Sequence, residues 1–369
     1  MQGRVEVKSK RLYELDGLRG IAALWVGLHH FWGAIQQREV GWVPEWVGNF
    51  FDAGFLGVDI FFVLSGFVIM HSVSSAKVDS GFVPRFILRR SVRIDPPYWC
   101  AITIAIILMF LKNEFFPAEK VEIPSASAVI AHIFYLQDLL EIPAISTVFW
   151  TLCLEFQFYL IFSVFYYIYV RMSRSKQQHT TTYLLIFAIF TCVVSPTFRF
   201  SSTDFVVPGT ILPYAYEFAL GVLCYFWAQG NIGHRVIVLA VSCAAVTTAF
   251  YRPVYYIFVP LAVLIILYLS KKTSSISWLK ARVMLFLGKI SYSFYLTHAS
   301  VGWVSLSFMM YIASNQKSDA LTFLILVAGI AISVIFSAIF YSIIEEPSIK
   351  LSRRFRVPGS KEGKKCEVS

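Results

Sequence analysis

Long apolar segments, separated by short polar stretches, run through almost the whole chain. A helix needs roughly 20 apolar residues to cross a bilayer, and several of these segments have that length. The pattern predicts ten membrane-spanning helices, at residues 17–36, 54–72, 95–112, 148–170, 181–196, 208–228, 234–250, 253–270, 284–313 and 320–345. The shorter apolar stretch 125–140 is predicted to lie at the outer interface or to re-enter the membrane. We therefore expect an all-α protein, a polytopic integral-membrane helical bundle.

The polar stretches between these helices are too short to contain a soluble catalytic domain. We expect one transmembrane domain at residues 1–350 and a polar cytoplasmic tail at 351–369, whose charged composition is typical of disorder. No small-residue cleavage site follows the first apolar run, so we interpret that run as a retained helix rather than a signal peptide.

Composition and the distribution of charge also indicate a membrane protein. Hydrophobic residues make up 57% of the 369 residues and charged residues 15%, compared with roughly 45–50% and 25% in soluble domains. With the N terminus placed in the cytoplasm, 26 of the 32 Lys and Arg residues fall on the inner side of the predicted helices. This bias predicts that both termini are cytoplasmic. It also explains the net charge of +10 without a nucleic-acid partner.

The six cysteines indicate neither a metal site nor a disulfide framework. Five of them lie within apolar runs, and none forms a CxxC pair. We therefore interpret them as packing residues, and we expect no metal and no tightly bound cofactor.

Four titratable side chains fall within predicted spans at middle or outer depth, namely His30, Asp59, Glu155 and His298. His30 follows Arg19 by eleven residues, which places it about 16 Å further along a helix and near mid-bilayer. Lipid cannot solvate an ionisable group, so such a residue is a functional candidate by default. A structural ion-pair network is the alternative, but four such groups on four helices favour a functional site.

Four arginines lead into the third predicted span on its inner side, at Arg85, Arg89, Arg90 and Arg93. Arg90 and Arg93 are three residues apart, so they share a helical face. The planar guanidinium suits bidentate phosphate binding, although the ordinary excess of positive charge on the inner side is an alternative explanation. Pro96 and Pro97 are expected to break the helix there and to open a cavity for a ligand.

Six segments in order resemble motifs of the acyltransferase-3 family of integral-membrane O-acyltransferases. LDGLRGIAAL followed by HHF resembles the family's first helix, with its Arg-x10-His pattern on Arg19 and His30. Later segments that resemble the family are GFLGVDIFFVLSGFVI, the RxxR motif from Arg90 to Arg93, FWTLCLEFQFYL, LGKISYSFYLTH and IIEEPSIK. Two features depart from the pattern. Glu155 stands alone where many members carry two carboxylates, and we find no SGNH-type esterase domain in the sequence.

The resemblance implies that acyl-CoA is the donor substrate and that it enters from the cytoplasm. Acetyl is the expected acyl group, with succinyl or a longer chain left open. The CoA phosphates would bind Arg90 and Arg93, together with Arg89, and Arg19 is assigned to the same site.

The resemblance also implies a catalytic role for His30 within the membrane. His30 would take the proton from an acceptor hydroxyl, or would briefly carry the acyl group itself. Glu155 or Asp59 would orient the imidazole and stabilise its cation. Three further side chains are assigned to the acceptor site or to its support, namely His298, Trp150 and Tyr159.

The implied acceptor is a saccharide or lipid-linked saccharide, modified at the outer side of a bacterial inner membrane. Which saccharide this is, and the oligomeric state of the protein, are left open. The alternative function is an ion-coupled transporter or exporter of polysaccharide, which also uses intramembrane Asp, Glu and His. That function predicts inverted repeats and discontinuous helices in matching halves. The sequence has no visible repeat of this kind, and a transporter does not account for the inner arginine cluster.

Overall fold

Helices and the turns between them make up the part of the chain that the structure describes, and no strand occurs there. The computed structural model describes residues 13–36, 43–116, 120–173, 180–200, 208–251, 261–265, 267, 276–314, 318–355 and 357–359. The helices used below are α1 (Tyr13–Ile35), α2 (Glu45–Asp52), α3 (Gly57–Val73), α4 (Phe82–Phe115), α5 (Ala126–Ile133), α6 (Trp150–Ser173), α7 (Thr180–Phe200), α8 (Ala215–Ala228), α9 (His234–Tyr251), α10 (Arg282–Thr297), α11 (Trp303–Ile312), α12 (Asp319–Phe340) and α13 (Glu346–Ser352).

Several helices are long and apolar enough to cross a membrane. Within the described residues these are four segments, at Glu45–Val73, Phe82–Phe115, Trp150–Arg171 and Asp319–Ser352. They coincide with four of the predicted spans and confirm the all-helical class. The count of ten spans and the cytoplasmic termini stay predictions. The predicted span 253–270 lies mostly outside the described residues.

Two helices, α1 and α4, each pack against several others around the buried polar groups. The helix α1 packs against α3, α10 and α12, while α3 also packs against α8. The long helix α4 packs against α6, α10 and α13. Nine of the ten predicted site residues lie on α1, α3, α4 and α6, and His298 follows the end of α10.

Glycines allow the closest of these helix crossings. A Cβ atom on Gly288 of α10 would lie 1.9 Å from the Asp16 carbonyl oxygen of α1. In the same way, a Cβ on Gly66 of α3 would lie 2.1 Å from the Phe218 oxygen of α8, and one on Gly221 would lie 2.0 Å from the Val63 oxygen. Small residues at such crossings let helix backbones touch, which brings side chains on neighbouring helices within reach of each other.

Replacing Gly221 with alanine is therefore expected to push α3 and α8 apart. The new methyl group meets backbone rather than a flexible side chain, so we expect a loss of about 1–3 kcal/mol of stability. Thermal unfolding of the detergent-solubilised protein, followed by tryptophan fluorescence, measures this loss. Gly33→Ala is the matched control, because Gly33 lies on α1 with open space around its Cβ position. Equal unfolding midpoints for Gly221→Ala and Gly33→Ala would contradict the close approach of α3 and α8.

Pro96 and Pro97 do not break the helix, which corrects the expectation above. The helix α4 runs without interruption from Phe82 to Phe115. Proline fixes a φ angle that a helix accepts, and its missing N–H frees carbonyl groups that other partners can satisfy in a membrane bundle. One carbonyl of this stretch, that of Ile94, accepts a hydrogen bond from the Tyr292 hydroxyl at 2.9 Å.

The polar tail begins later than predicted. The helix α13 continues to Ser352, and Val357 beyond it is buried. The Lys77 amide donates a hydrogen bond to the Pro358 carbonyl at 2.7 Å, so the chain folds back onto the turn between α3 and α4. The described residues 351–355 and 357–359 are thus packed against the rest of the protein, residues 360–369 lie outside the described part, and the disorder of the tail 351–369 stays a prediction.

Candidate active site

A cavity with arginine side chains on its wall opens between α1, α3, α4, α6 and α10, and we call it the arginine cavity. Its empty space is about 900 Å³, of which a part is open to the surroundings. Among the predicted site residues, its wall includes Arg19, Arg90, Arg93, Glu155 and Tyr159. The guanidinium groups of Arg19 on α1 and of Arg90 and Arg93 on α4 thus line one cavity. The Glu155 carboxylate and the Tyr159 phenol of α6 line it as well.

Packing and hydrogen bonds hold Arg90 in this wall. Its guanidinium lies 5.5 Å from the centre of the Phe86 ring and 5.6 Å from that of Tyr159, within the range of cation–π attraction. It also donates to the Ser72 hydroxyl at 3.3 Å. The side chain is 5% exposed, so its charge is directed into the protein rather than toward solvent.

Glu155 accepts hydrogen bonds from two hydroxyl groups. Ser65 donates to one carboxylate oxygen at 2.7 Å, and Tyr159 donates to the same oxygen. Tyr159 thereby bridges Glu155 and the guanidinium of Arg90. Tyr159 lines the arginine cavity. The prediction from the sequence assigned it, with Trp150, to the acceptor site or its support.

Glu345 is a second buried carboxylate near the arginines of this cavity, and it is not among the site residues predicted from the sequence. It lies in a π-helical turn at Tyr341–Glu345 and is buried. It accepts from the Ser293 amide at 3.1 Å and from the Ser293 hydroxyl at 2.5 Å, and it interacts electrostatically with Arg93 and Arg19. The available signal was the acidic pair in the IIEEPSIK segment at the end of a span.

Arg89 does not line the arginine cavity. It is buried on α4 and points about 100° around the helix from Arg90. Arg85, one turn earlier, is partly exposed and pairs with Asp79. Of the four neighbouring arginines of α4, Arg90 and Arg93 therefore line the arginine cavity, and Arg19 of α1 lines it with them.

A second cavity contains the predicted base, and we call it the histidine cavity. Its empty space is about 1100 Å³, of which a part is open to the surroundings. His30, Asp59 and Trp150 line it, together with His29 and Arg199. Trp150 thus lines the same cavity as His30.

The two cavities meet at Val58 and Tyr295, which line both of them. The Tyr295 hydroxyl is held by Thr151 at 2.8 Å. Val58 and Tyr295 thus form a common wall between the space beside the arginines and the space beside His30.

Neither predicted carboxylate contacts His30. Asp59 pairs with Arg199 at 2.9 Å, and Arg199 also pairs with Glu217 of α8. Glu155 is occupied by its two hydroxyl donors, so in the part of the chain that the structure describes no hydrogen bond joins His30 to either group. Asp59 and Glu155 therefore have hydrogen-bond and ion-pair partners other than His30, the expected one.

Arg199 is a further site residue that sequence reasoning missed. Its guanidinium lies 4.6 Å from the centre of the Tyr214 ring, in addition to its two carboxylate partners. In the sequence it is one of six Lys and Arg residues on the predicted outer side. Its position at the outer end of an apolar run was the only signal there.

His29 and His298 flank His30, with each ring centre 5.3 Å from that of His30. His29 Nδ1 lies 3.3 Å from the Phe51 carbonyl oxygen, so it makes the contact between helical segments that is expected of a packing residue. His298 is fully buried at the start of a π-helical turn, His298–Gly302. Among the described residues, no group of His, Cys, Asp or Glu is placed to hold a metal ion.

A family model described as an acyltransferase domain, that of the acyltransferase-3 family, matches residues 12–342. The chain therefore belongs to this family of membrane-bound acyltransferases, which confirms the resemblance seen in its motifs. No solved structure matches the chain.

Curated proteins similar to this chain are also named as acyltransferases. It is 27% identical to the acyltransferase MdmB of Streptomyces mycarofaciens, over 94% of each chain. It is 25% identical to the putative membrane-bound transacylase BcsY of Komagataeibacter xylinus, over 96% of this chain and 87% of that protein. The peptidoglycan O-acetyltransferase OatA of Listeria monocytogenes is 27% identical over 48% of this chain and 28% of its own length.

Proposed function

We propose that this acyltransferase moves an acyl group, acetyl by preference, from cytoplasmic acyl-CoA to a hydroxyl of a surface or exported saccharide. One observation carries the proposal: the arginine cavity and the histidine cavity share the walls formed by Val58 and Tyr295. A donor and an acceptor can therefore approach one point from opposite directions.

The donor would bind in the arginine cavity through its phosphate groups. Arg90 and Arg93 offer charge-assisted hydrogen bonds on one face of α4, and Arg19 adds a third cation from α1. Ring contacts and Ser72 hold the Arg90 guanidinium in place before the ligand arrives, which lowers the entropy lost on binding. The pantetheine arm would then extend past Tyr295.

The acceptor would bind in the histidine cavity beside Trp150. His30 takes the proton from the acceptor hydroxyl while the oxygen attacks the thioester carbon. The carbon–sulfur bond breaks, and the CoA thiolate receives the proton from His30, so proton and charge are balanced. A two-step route, in which His30 first carries the acyl group, uses the same positions.

A saccharide acceptor is supported by the chemistry of the cavity and by one relative. Trp150 and Tyr214 line it, and aromatic side chains are suited to contact with the apolar faces of sugar rings. The Listeria relative is named for peptidoglycan, which is a saccharide polymer. The inner membrane of a bacterium is the location that this substrate pair requires.

The direct test is transfer of radiolabelled acetyl from acetyl-CoA in proteoliposomes that contain the purified full chain. Oligomers of glucose and of N-acetylglucosamine serve as acceptors, and mass spectrometry of surface polysaccharide with and without the protein identifies the natural product. CoA release that depends on an added saccharide supports the proposal. Saccharide uptake driven by an ion gradient, with no CoA release, would support the transporter instead.

The direction of transfer predicts a definite topology that cysteine labelling can measure. On a cysteine-free background, Ser127→Cys, on α5, is expected to react with an impermeant maleimide in intact cells. Ser80→Cys, in the turn between α3 and α4, is expected to react only after the cells are permeabilised. Both serines are exposed and both substitutions are small. The reverse pattern would place the arginine cavity away from cytoplasmic acyl-CoA.

A further inference from the structure

His298 has a fixed tautomer, because its surroundings dictate which ring nitrogen carries the proton. Its Nδ1 atom lies 2.9 Å from the Phe294 carbonyl oxygen and 3.0 Å from that of Tyr295. Carbonyl oxygens only accept hydrogen bonds, so Nδ1 is the donor and Nε2 of the neutral ring keeps a lone pair.

The lone pair of Nε2 is buried without a hydrogen-bond partner in the described part of the chain. The His298 side chain is 0% exposed, so solvent does not satisfy this nitrogen. Burying an unsatisfied polar atom is unfavourable, and a catalytic role is one of the reasons for which proteins retain such an atom. The π-helical turn that starts at His298 is a second indication of function, because π turns are frequent at functional sites.

We propose that His298, and not a carboxylate, is the positioning residue for His30. When His30 takes the acceptor proton it becomes an imidazolium with two N–H donors. One of them faces the reacting oxygen, and the other then donates to the Nε2 lone pair of His298. The proton stays on His30 until it passes to the thiolate, so His298 accepts a hydrogen bond and gains no proton. The inference rests on the proposed role of His30 as base.

The other groups around His30 are already engaged or differently placed. The charged and titratable side chains that line its cavity are His29, Asp59, Arg199, Tyr214 and Tyr295. Asp59 is paired with Arg199, and the Tyr295 hydroxyl with Thr151. His29 has the same ring separation from His30 as His298 has, but it is half-buried and directed to Phe51. His29 is therefore the natural control.

The experiment measures the protonation of His30 without any substrate. Diethyl pyrocarbonate modifies neutral imidazole, so the pH dependence of His30 modification, followed by peptide mass spectrometry on the full-length protein in detergent, reports its titration midpoint. His298→Phe removes the lone pair, and we expect the midpoint to fall by about one pH unit, because the imidazolium loses its acceptor. His298→Gln retains an acceptor oxygen and is expected to recover most of that shift. His29→Phe should not lower the midpoint, because it removes a neighbouring ring that can itself become cationic and repel the His30 imidazolium.

The outcomes separate the inference from the proposed function. Equal midpoints in His298→Phe and the parent protein overturn the positioning role, as does an equal shift in the Phe and Gln variants, which indicates packing alone. Because the measurement needs neither donor nor acceptor, these results leave the acyl-transfer proposal standing. Normal transfer by His30→Ala would instead overturn the proposed mechanism, and the role of His298 with it.

Discussion

Replacing His30 with alanine is expected to lower acyl transfer by at least about 10³-fold, within the range lost when a positioned general base is removed. His30 lines the histidine cavity and is absent from the wall of the arginine cavity. We therefore expect the affinity for CoA to be unchanged while turnover is lost. Saccharide-dependent transfer of radiolabelled acetyl and equilibrium binding of CoA, measured on the same purified variant, test both halves of this statement.

His29→Ala is the matched control for this substitution. The two histidines are adjacent on α1, and their half-buried side chains both line the histidine cavity. His29 is directed to the Phe51 carbonyl, so its loss should reduce turnover only a few-fold, on the scale of one packing hydrogen bond. Near-normal turnover in His30→Ala, with a folded protein, would exclude His30 as the base and as the acyl carrier.

Apolar length predicted where helices lie, but it did not locate their ends. The first predicted span, 17–36, corresponds to α1 at Tyr13–Ile35. By contrast α4 begins at Phe82, thirteen residues before its predicted start. The early part of α4 carries arginines and serine, and hydropathy detects the part of a helix that suits lipid rather than the whole hydrogen-bonded helix. The expected break at Pro96 and Pro97 had another origin, namely the usual effect of proline on a helix, which a membrane bundle can tolerate.

Changes in helix type were also invisible in the pattern. The predicted span 284–313 consists of α10, a π-helical turn and α11. A π turn wraps the chain more loosely for a few residues, and in a uniformly apolar segment this leaves no periodic mark. The turn at His298 could therefore be recognised only from the structure.

The candidate residues were predictable from depth and spacing, whereas their partners were not. His30 stands out because an ionisable group is costly at its expected depth. Arg90 and Arg93 stand out because their spacing places them on one helical face. The pairing of Asp59 with Arg199 joins residues 140 positions apart, and no spacing rule connects them. The resemblance implies Asp59 or Glu155 as the partner of His30, while the fold pairs Asp59 with an arginine.

Replacing Arg90 with alanine is expected to weaken CoA binding by about 1.5–3 kcal/mol, or roughly 10- to 150-fold, the scale of a charge-assisted hydrogen bond. Arg93→Ala should act similarly, since both arginines line the arginine cavity on one helix face. Arg90→Lys should restore only part of the affinity, because the ammonium group lacks the planar fork that binds two phosphate oxygens. Equilibrium binding of radiolabelled CoA to the detergent-solubilised protein measures each change.

Arg85→Ala tests whether CoA affinity depends on arginines that line the cavity or only on the general excess of positive charge. Arg85 lies on the same helix and carries the same charge, but it is partly exposed and pairs with Asp79 outside the cavity. If Arg90 and Arg93 bind the donor, Arg85→Ala leaves the CoA affinity unchanged while the other two substitutions lower it. Higher salt should also reduce the difference between the parent protein and Arg90→Ala, because ions compete for the guanidinium groups. If all three alanine variants bind CoA as the parent does, the arginines serve membrane orientation, and the donor site lies elsewhere in the protein.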